Sequence, residues 1–258
     1  MKRIFITNDD GYDAPGLHAL IDALRPLGQI TVVAPTLEKS ASGHSLTLTR
    51  PLRFIEVDDD FYKLDDGTPT DCVFLGLNKL YGDDIRPDLV VSGINRGANM
   101  GEDITYSGTA AAAMEAVLQG VPAVAFSQVC EGHCDTVDYT LAARTAADIV
   151  RRILDAGFPL PSRQFLNVNI PPLPATATPP MQVTREGRRA YGNHAETHRN
   201  PRGIEYYWIG LPRLDWIPDA GEAMTDFEAI ERGAISLTPV QLDLTAYKQI
   251  EPLKAWLS

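Results

Sequence analysis

Three polar clusters in this sequence have the residue types and spacing to handle a phosphate ester. The first is Thr7-Asn8-Asp9-Asp10-Gly11, where two adjacent carboxylates leave a β-branched run and a glycine permits a sharp turn. Two carboxylates side by side repel and need a compensating cation. A hard divalent ion would supply it, because carboxylate and neutral side-chain oxygens are the ligands that magnesium, manganese and calcium take. Taken alone, Asp-Asp-Gly reads better as a solvated Asx turn.

The second cluster, Glu38-Lys39-Ser40-Ala41-Ser42-Gly43-His44-Ser45, follows the second expected strand. Ser40 could lend a neutral oxygen to a cation, although by itself this is a Ser/Gly loop with a surface histidine. The third runs from Ser92-Gly93-Ile94-Asn95-Arg96 to Ser107-Gly108-Thr109, just before an alanine-rich segment. Free amides at that helix start, the positive end of its dipole and two hydroxyls suit an anion. An ordinary Ser/Thr helix cap fits Ser107-Gly108-Thr109 equally well. Asn95 could add an amide oxygen to the metal, and Arg96 could oppose phosphate charge. Together the three loops assemble carboxylates, neutral oxygens and an anion site.

The elements that must position these loops follow from periodicity. Short β-branched runs alternate with helical spacing, the pattern of βαβ units. Strands are expected at 3–7, 29–34, 88–92, 121–127 and 165–170, and helices from Pro15, at 70–80, 110–118 and 139–154. Short strands at 46–50, 53–57 and 61–64 read as an antiparallel excursion, and 93–108 as a long loop. The fold class is α/β, a mostly parallel sheet with helices on both faces, whose core closes within residues 1–170. In such sheets ligands bind outside the carboxyl ends of the strands, where all three clusters lie. Prolines then punctuate residues 171–258, read as a C-terminal β-hairpin and helix extension outside the main sheet. Its pieces at 181–185 and 204–209 look hairpin-like, and an arm exposing Tyr206, Tyr207 and Trp208 would pack on another subunit or, with equal weight, on its own core.

A net charge of −11 over 258 residues removes long-range attraction for a phosphate polymer, so no nucleic-acid duplex is expected as partner. Three cysteines, an odd number, suggest no disulfide framework and a reducing compartment, hence a cytoplasmic protein. The N-terminus reaches Asn8-Asp9-Asp10 before a signal-peptide apolar region could be completed, and no apolar run spans a membrane. Cys130-Glu131-Gly132-His133-Cys134 would need further ligands to hold zinc and reads as a surface loop. Arg185, Arg188 and Arg189 read as a solvated charged turn, and His194 and His198, despite helical ligand spacing, as solvent-facing loop residues.

The linked motifs Thr7-Asn8-Asp9-Asp10-Gly11, Gly67-Thr68-Pro69-Thr70-Asp71-Cys72, Ser92-Gly93-Ile94-Asn95, Tyr106-Ser107-Gly108-Thr109, Leu166-Asn167-Val168-Asn169, Tyr206-Tyr207-Trp208 and Ser236-Leu237-Thr238-Pro239 resemble the SurE family, the survival-protein-E nucleotidases. The likeness covers nearly the whole chain. It implies a Rossmann-like fold, a homodimer or homotetramer, and a metal-dependent phosphatase acting on nucleoside 5′- and 3′-monophosphates, in some members also on polyphosphate. It further implies one divalent cation per subunit, magnesium or manganese, held by residues matching Asp9, Asp10, Ser40 and Asn95. The chain departs from the family pattern at Gln241, where many relatives carry histidine.

The expected reaction is attack by an activated water in line with the departing nucleoside oxygen. Asp9 or Asp10 orients or deprotonates that water, while Asn95, Arg96 and the Ser107-Gly108-Thr109 amides meet the developing charge. One rival is an aspartyl-phosphate enzyme, made less attractive by adjacent rather than alternating aspartates. Another is a non-catalytic nucleotide-binding module, disfavoured because two carboxylates beside a phosphate make little sense without a metal between them.

Overall fold

A computed structural model describes residues 1–82, 85–130, 136–191, 195–209, 215–218, 221 and 223–257. The chain opens as β1 (Arg3–Thr7), α1 (Pro15–Leu24), β2 (Gln29–Pro35), β3 (Arg53–Asp58), β4 (Phe61–Asp65), α2 (Pro69–Lys79) and β5 (Leu89–Arg96). It continues as α3 (Gly108–Leu118), β6 (Ala123–Gln128), α4 (Thr140–Ala156), β7 (Gln164–Ile170), β8 (Met181–Val183) and β9 (Arg188–Arg189). Then follow β10 (Ala195–Arg199), β11 (Glu205–Ile209), β12 (Trp216–Ile217), α5 (Asp226–Glu231), β13 (Ile235–Gln241) and α6 (Ile250–Leu257).

Nine strands form one sheet in the order β3-β4-β2-β1-β5-β6-β7-β13-β8. From β4 to β7 every pairing is parallel. The chain winds outward from β1 through β2 to β4, then returns to β5 on the other side and winds through β6 to β7. Strand order therefore reverses between β1 and β5, the place where open parallel sheets leave a crevice for ligands. The cluster residues at the ends of β1 and β5 border that crevice.

Each central strand alternates its side chains between two apolar layers. Ile4 and Ile6 point toward α1 and α4, where Leu17, Leu20, Ile149 and Val150 meet them. Phe5 points the other way, toward Val73 and Leu77 of α2 and the alanines of α3. The period of two in a strand buried on both faces gives the near-continuous apolar run that the sequence displays. Small residues set the spacing of the second layer: a Cβ on Gly76 would lie 2.5 Å from the Phe5 ring. Ala110, Ala112 and Ala113 let α3 lie equally close. α2 begins with a capping box, Thr68 accepting from the Asp71 amide while Asp71 accepts from that of Thr68, with Pro69 pre-set for the first turn.

Several expectations need correction. The tail does not remain outside the sheet: β13 pairs antiparallel with β7, and β8 pairs parallel with β13. A boundary at residue 170 therefore divides one continuous sheet. Likewise β3 and β4 are an edge of the main sheet rather than an excursion, and residues 46–50 form no strand. Residues 93–96, read as loop, prolong β5, whose register with β6 shifts between Ser92 and Asn95. His198 lies in β10 and not in a loop, whereas His194 falls outside the described residues. Arg189 is buried and ion-paired to Asp103 at 3.1 Å, so the basic cluster is not simply a solvated turn. Cys130 is disulfide-bonded, against the expectation of reduced thiols, while Cys72 is free and buried. The rest of the Cys130 cluster, residues 131–134, lies outside the described residues.

β10 and β11 form a separate antiparallel pair, and α6 buries none of its residues. Tyr206, Tyr207 and Trp208 are exposed, Trp208 at 64%. Among the described residues no helix is long and apolar enough to cross a membrane.

Candidate active site

Asp9 lies two residues beyond the end of β1 and is only 3% exposed. Both of its oxygens are held by the first turn of α3: the Thr109 hydroxyl donates to Oδ1 at 2.5 Å and the Thr109 amide to Oδ2 at 3.1 Å. This docking requires Gly108, because a Cβ there would lie 2.7 Å from the Asp9 Cβ and 2.8 Å from its Oδ2. The helix start that sequence offers as a cradle for phosphate is thus already turned partly toward a carboxylate. Thr109 is committed to Asp9, and the Ser107 side chain caps the helix by accepting from the Ala110 amide at 3.0 Å. Those two residues correct the picture of a fully open cradle.

Asp10 is less buried and accepts at Oδ2 from the Arg96 amide, 3.0 Å away, which joins the β1 loop to the end of β5. Beyond it lies a cleft of ≈ 760 Å³ bordered by Asp10, Asp13, Arg96, Asp138 and Tyr139. The Arg96 guanidinium is about half exposed and 3.7 Å from Glu38. Asn95 is buried; its side-chain nitrogen donates to the Gly97 carbonyl at 3.0 Å, which fixes the amide plane and leaves its oxygen as the free end to offer a ligand.

Burial pushes the Asp9 carboxyl up to about 7, and the neighbouring Asp10 charge adds to the effect despite two hydrogen bonds from Thr109. Burial raises Asp10 as well, opposed by the Arg96 amide and guanidinium. Desolvation thus outweighs the hydrogen bonds in both carboxyls, and the protein alone leaves this pair short of positive charge. A divalent cation fits that deficit. Among the described residues no three His, Cys, Asp or Glu side chains gather into a group able to hold a metal. Neutral oxygens of the kind that Asn95 and Ser40 carry are also ligands that hard divalent cations take.

The loop carrying Ser40 crosses over the pair. The Lys39 amide donates to the Asp9 carbonyl at 2.7 Å and the Gly43 amide to the Tyr106 carbonyl at 2.9 Å. Ser40 itself is exposed, its hydroxyl donating to Glu38 at 2.7 Å. The structure thus brings Asp9, Asp10, Arg96, Gly108 and Thr109 into direct contact, while Ser40 reaches the site through its neighbours.

Sequence reasoning missed the residues that hold these loops. His44, taken for a surface residue, has its Nε2 2.9 Å from Oε2 of the nearly buried Glu115 on α3, and so ties the Ser40 loop to the helix. Asn167 and Asn169 on β7 both donate to the Asn99 carbonyl, at 2.8 and 3.0 Å, and hold down the segment after β5. Two polar residues on one face of an apolar strand were the available signal. Asp226 accepts from the amides of Gly101 at 2.7 Å and Gly187 at 2.9 Å, clamping the tail to the same segment. No local pattern marks that role.

Fold and site together define a Rossmann-like α/β protein with a desolvated carboxylate pair at the topological switch point. Residues 4–193 match the model of the family described as Survival protein SurE. The chain belongs to this family. Over 260 residues it is 60% identical to the 5′-nucleotidase SurE of a Sulfurovum species, covering 100% of this chain and 98% of that protein. To the protein of the same name from a Nitratiruptor species it is 56% identical over 261 residues, covering both chains completely. The crystal structure of the SurE protein from Aquifex aeolicus superposes with a TM-score of 0.84 at 42% identity, covering 99% of this chain and 100% of that one.

Proposed function

We propose that this chain is a metal-dependent 5′-nucleotidase that hydrolyses nucleoside monophosphates to nucleoside and phosphate, with 3′-monophosphates and short polyphosphate as further substrates. The observation that carries the reading is the buried Asp9 carboxylate, paired with Asp10 and braced by the start of α3. Relatives named 5′-nucleotidase that match along their whole length support it. One magnesium or manganese ion per subunit would be held by Asp9, Asp10, Asn95 and Ser40, polarising a phosphoryl oxygen and making water a competent nucleophile at neutral pH.

The chain's own residues do the rest. Thr109 locks Asp9 as a ligand. Asp10, anchored by the Arg96 amide and bordering the cleft, orients the attacking water and takes its proton. The Gly108 amide, the Ser107 hydroxyl hydrogen, Asn95 and the Arg96 guanidinium meet the charge that develops on the equatorial phosphoryl oxygens. The exposed arm and α6 make a homodimer or homotetramer the fitting assembly.

The test is phosphate release from nucleoside 5′- and 3′-monophosphates and short polyphosphate, with chelator and after adding back magnesium or manganese. Turnover that survives chelation sinks the metal-dependent reading. Tight nucleotide binding without phosphate release would instead favour a binding module.

A further inference from the structure

Two exposed aromatic rings stand directly beside the start of α3. Tyr106 immediately precedes the cap residue Ser107, and is 58% exposed; Tyr191, following β9, is 47% exposed. Their rings meet edge to face, with centroids 6.3 Å apart and planes at 77°. In that arrangement the ring that offers its edge keeps both of its faces clear of the other ring.

Exposed tyrosines are ordinary, but these two are held in place. The Tyr191 hydroxyl donates to Asp103 at 2.8 Å, and the Arg189 guanidinium, itself 3.1 Å from Asp103, sits 5.9 Å from the Tyr191 ring centre. Burial and the adjoining carboxylate keep the Tyr191 phenol protonated well past its ordinary range, so it remains a donor. The Arg189 amide in turn donates to Glu102 at 2.5 Å. Tyr106 is fixed through its backbone: its amide donates to the Asp103 carbonyl at 3.0 Å and its carbonyl accepts from Gly43 at 2.9 Å. A surface tyrosine has two side-chain torsions to fix when it captures a ligand; rings already oriented lose less entropy still.

We propose that Tyr106 and Tyr191 form a stacking platform for the base of the nucleotide. The inference rests on the nucleotidase reading, since it is the phosphate group at the start of α3 that brings a base within reach. Tyr106 adjoins the cap residue Ser107 in the chain, which sets the platform next to the turn proposed to take the phosphate. A π-face recognises every base alike, which gives affinity for nucleotides as a class without selecting among them. Arg189, being buried, acts as a positioning residue for Tyr191 and does not touch the substrate.

The experiment compares kcat/KM for adenosine and cytidine 5′-monophosphates with that for ribose 5-phosphate, in the metal-loaded full chain and in Tyr106→Ala, Tyr106→Phe and Tyr191→Ala. Thermal melting checks that each variant is folded. The unaltered protein should prefer both nucleotides over the base-free ester. Tyr106→Ala should shrink that preference by about tenfold or more, chiefly through KM, while Tyr106→Phe retains it. An undiminished preference in both alanine variants, or no preference in the unaltered protein while ribose 5-phosphate is still hydrolysed, overturns the platform and leaves the phosphatase reading standing. Failure to release phosphate from any of the three esters overturns the nucleotidase reading and the platform with it.

Discussion

The start of α3 and the β10–β11 arm are both rich in groups that could bind something, yet they are built in opposite ways. At α3, Asp9, Gly108 and Thr109 are buried and mutually fixed, and a missing methyl group at Gly108 decides the contact. In the arm, every residue of β10 and β11 is exposed, and the pair is held by its own ladder plus links such as Arg199 to Glu205. A site for chemistry must hold charges where water cannot reorganise around them. A surface for association must leave its apolar area uncovered until the partner arrives. The two regions therefore answer differently to substitution.

The largest effect should come at the carboxylate pair. Asp9→Asn should abolish metal-dependent phosphate release while leaving the metal-free melting temperature nearly unchanged or higher, because it removes a desolvated charge. A variant that melts early and keeps its residual turnover would make Asp9 a structural residue.

Next comes Thr109→Val, which deletes one of the two donors that hold Asp9. A hydrogen bond to a charged group is worth roughly 1.5–3 kcal/mol, so turnover should fall by about ten- to a hundredfold. Metal titration should show weaker binding in parallel. Unchanged metal affinity would detach Thr109 from the ligand set.

Third, His44→Ala leaves the buried Glu115, among the described residues, with Gln119 as its remaining side-chain partner. Stability should drop by about 1–3 kcal/mol, read as a lower melting temperature, with a weaker loss of turnover. An equal melting temperature would show that the Ser40 loop is held by its backbone bonds alone.

The pH response sharpens the comparison further. A carboxyl raised to about 7 binds its proton more tightly in the folded than in the unfolded chain, whose ordinary value is 3.8. Its contribution favours folding below that ordinary value and is lost as pH rises to about 7. In the metal-free protein, the stability difference between the unaltered chain and Asp9→Asn should therefore turn against the unaltered chain across that interval, and added manganese should reverse it at the upper end. A difference independent of pH would contradict the burial argument.

The smallest effect on chemistry should come from the arm. Trp208→Glu should reduce the sedimentation coefficient of an assembled form while leaving phosphate release per site within experimental scatter. Loss of turnover on dissociation would mean that the arm completes a neighbour's site and erase the contrast between the regions.

Local pattern alone determined the parallel α/β framework, the helix starting at Pro15 and the placing of Asp9 and Asp10 after a strand, because strand alternation and helix spacing are short-range properties; Asn95, expected in a loop, stands inside β5. The linked motifs identified the family. Tertiary structure decided the rest. Residues 181–183 and 235–241 join the sheet because β7 offers an unpaired edge, a fact that no window around Pro171 contains. Thr109 turns to Asp9, His44 to Glu115 and Asp226 to Gly101 across separations of 100, 71 and 125 residues. Such contacts depend on which loops the sheet order brings together, and hydrogen-bonding types as common as threonine and aspartate carry no mark of their distant partners.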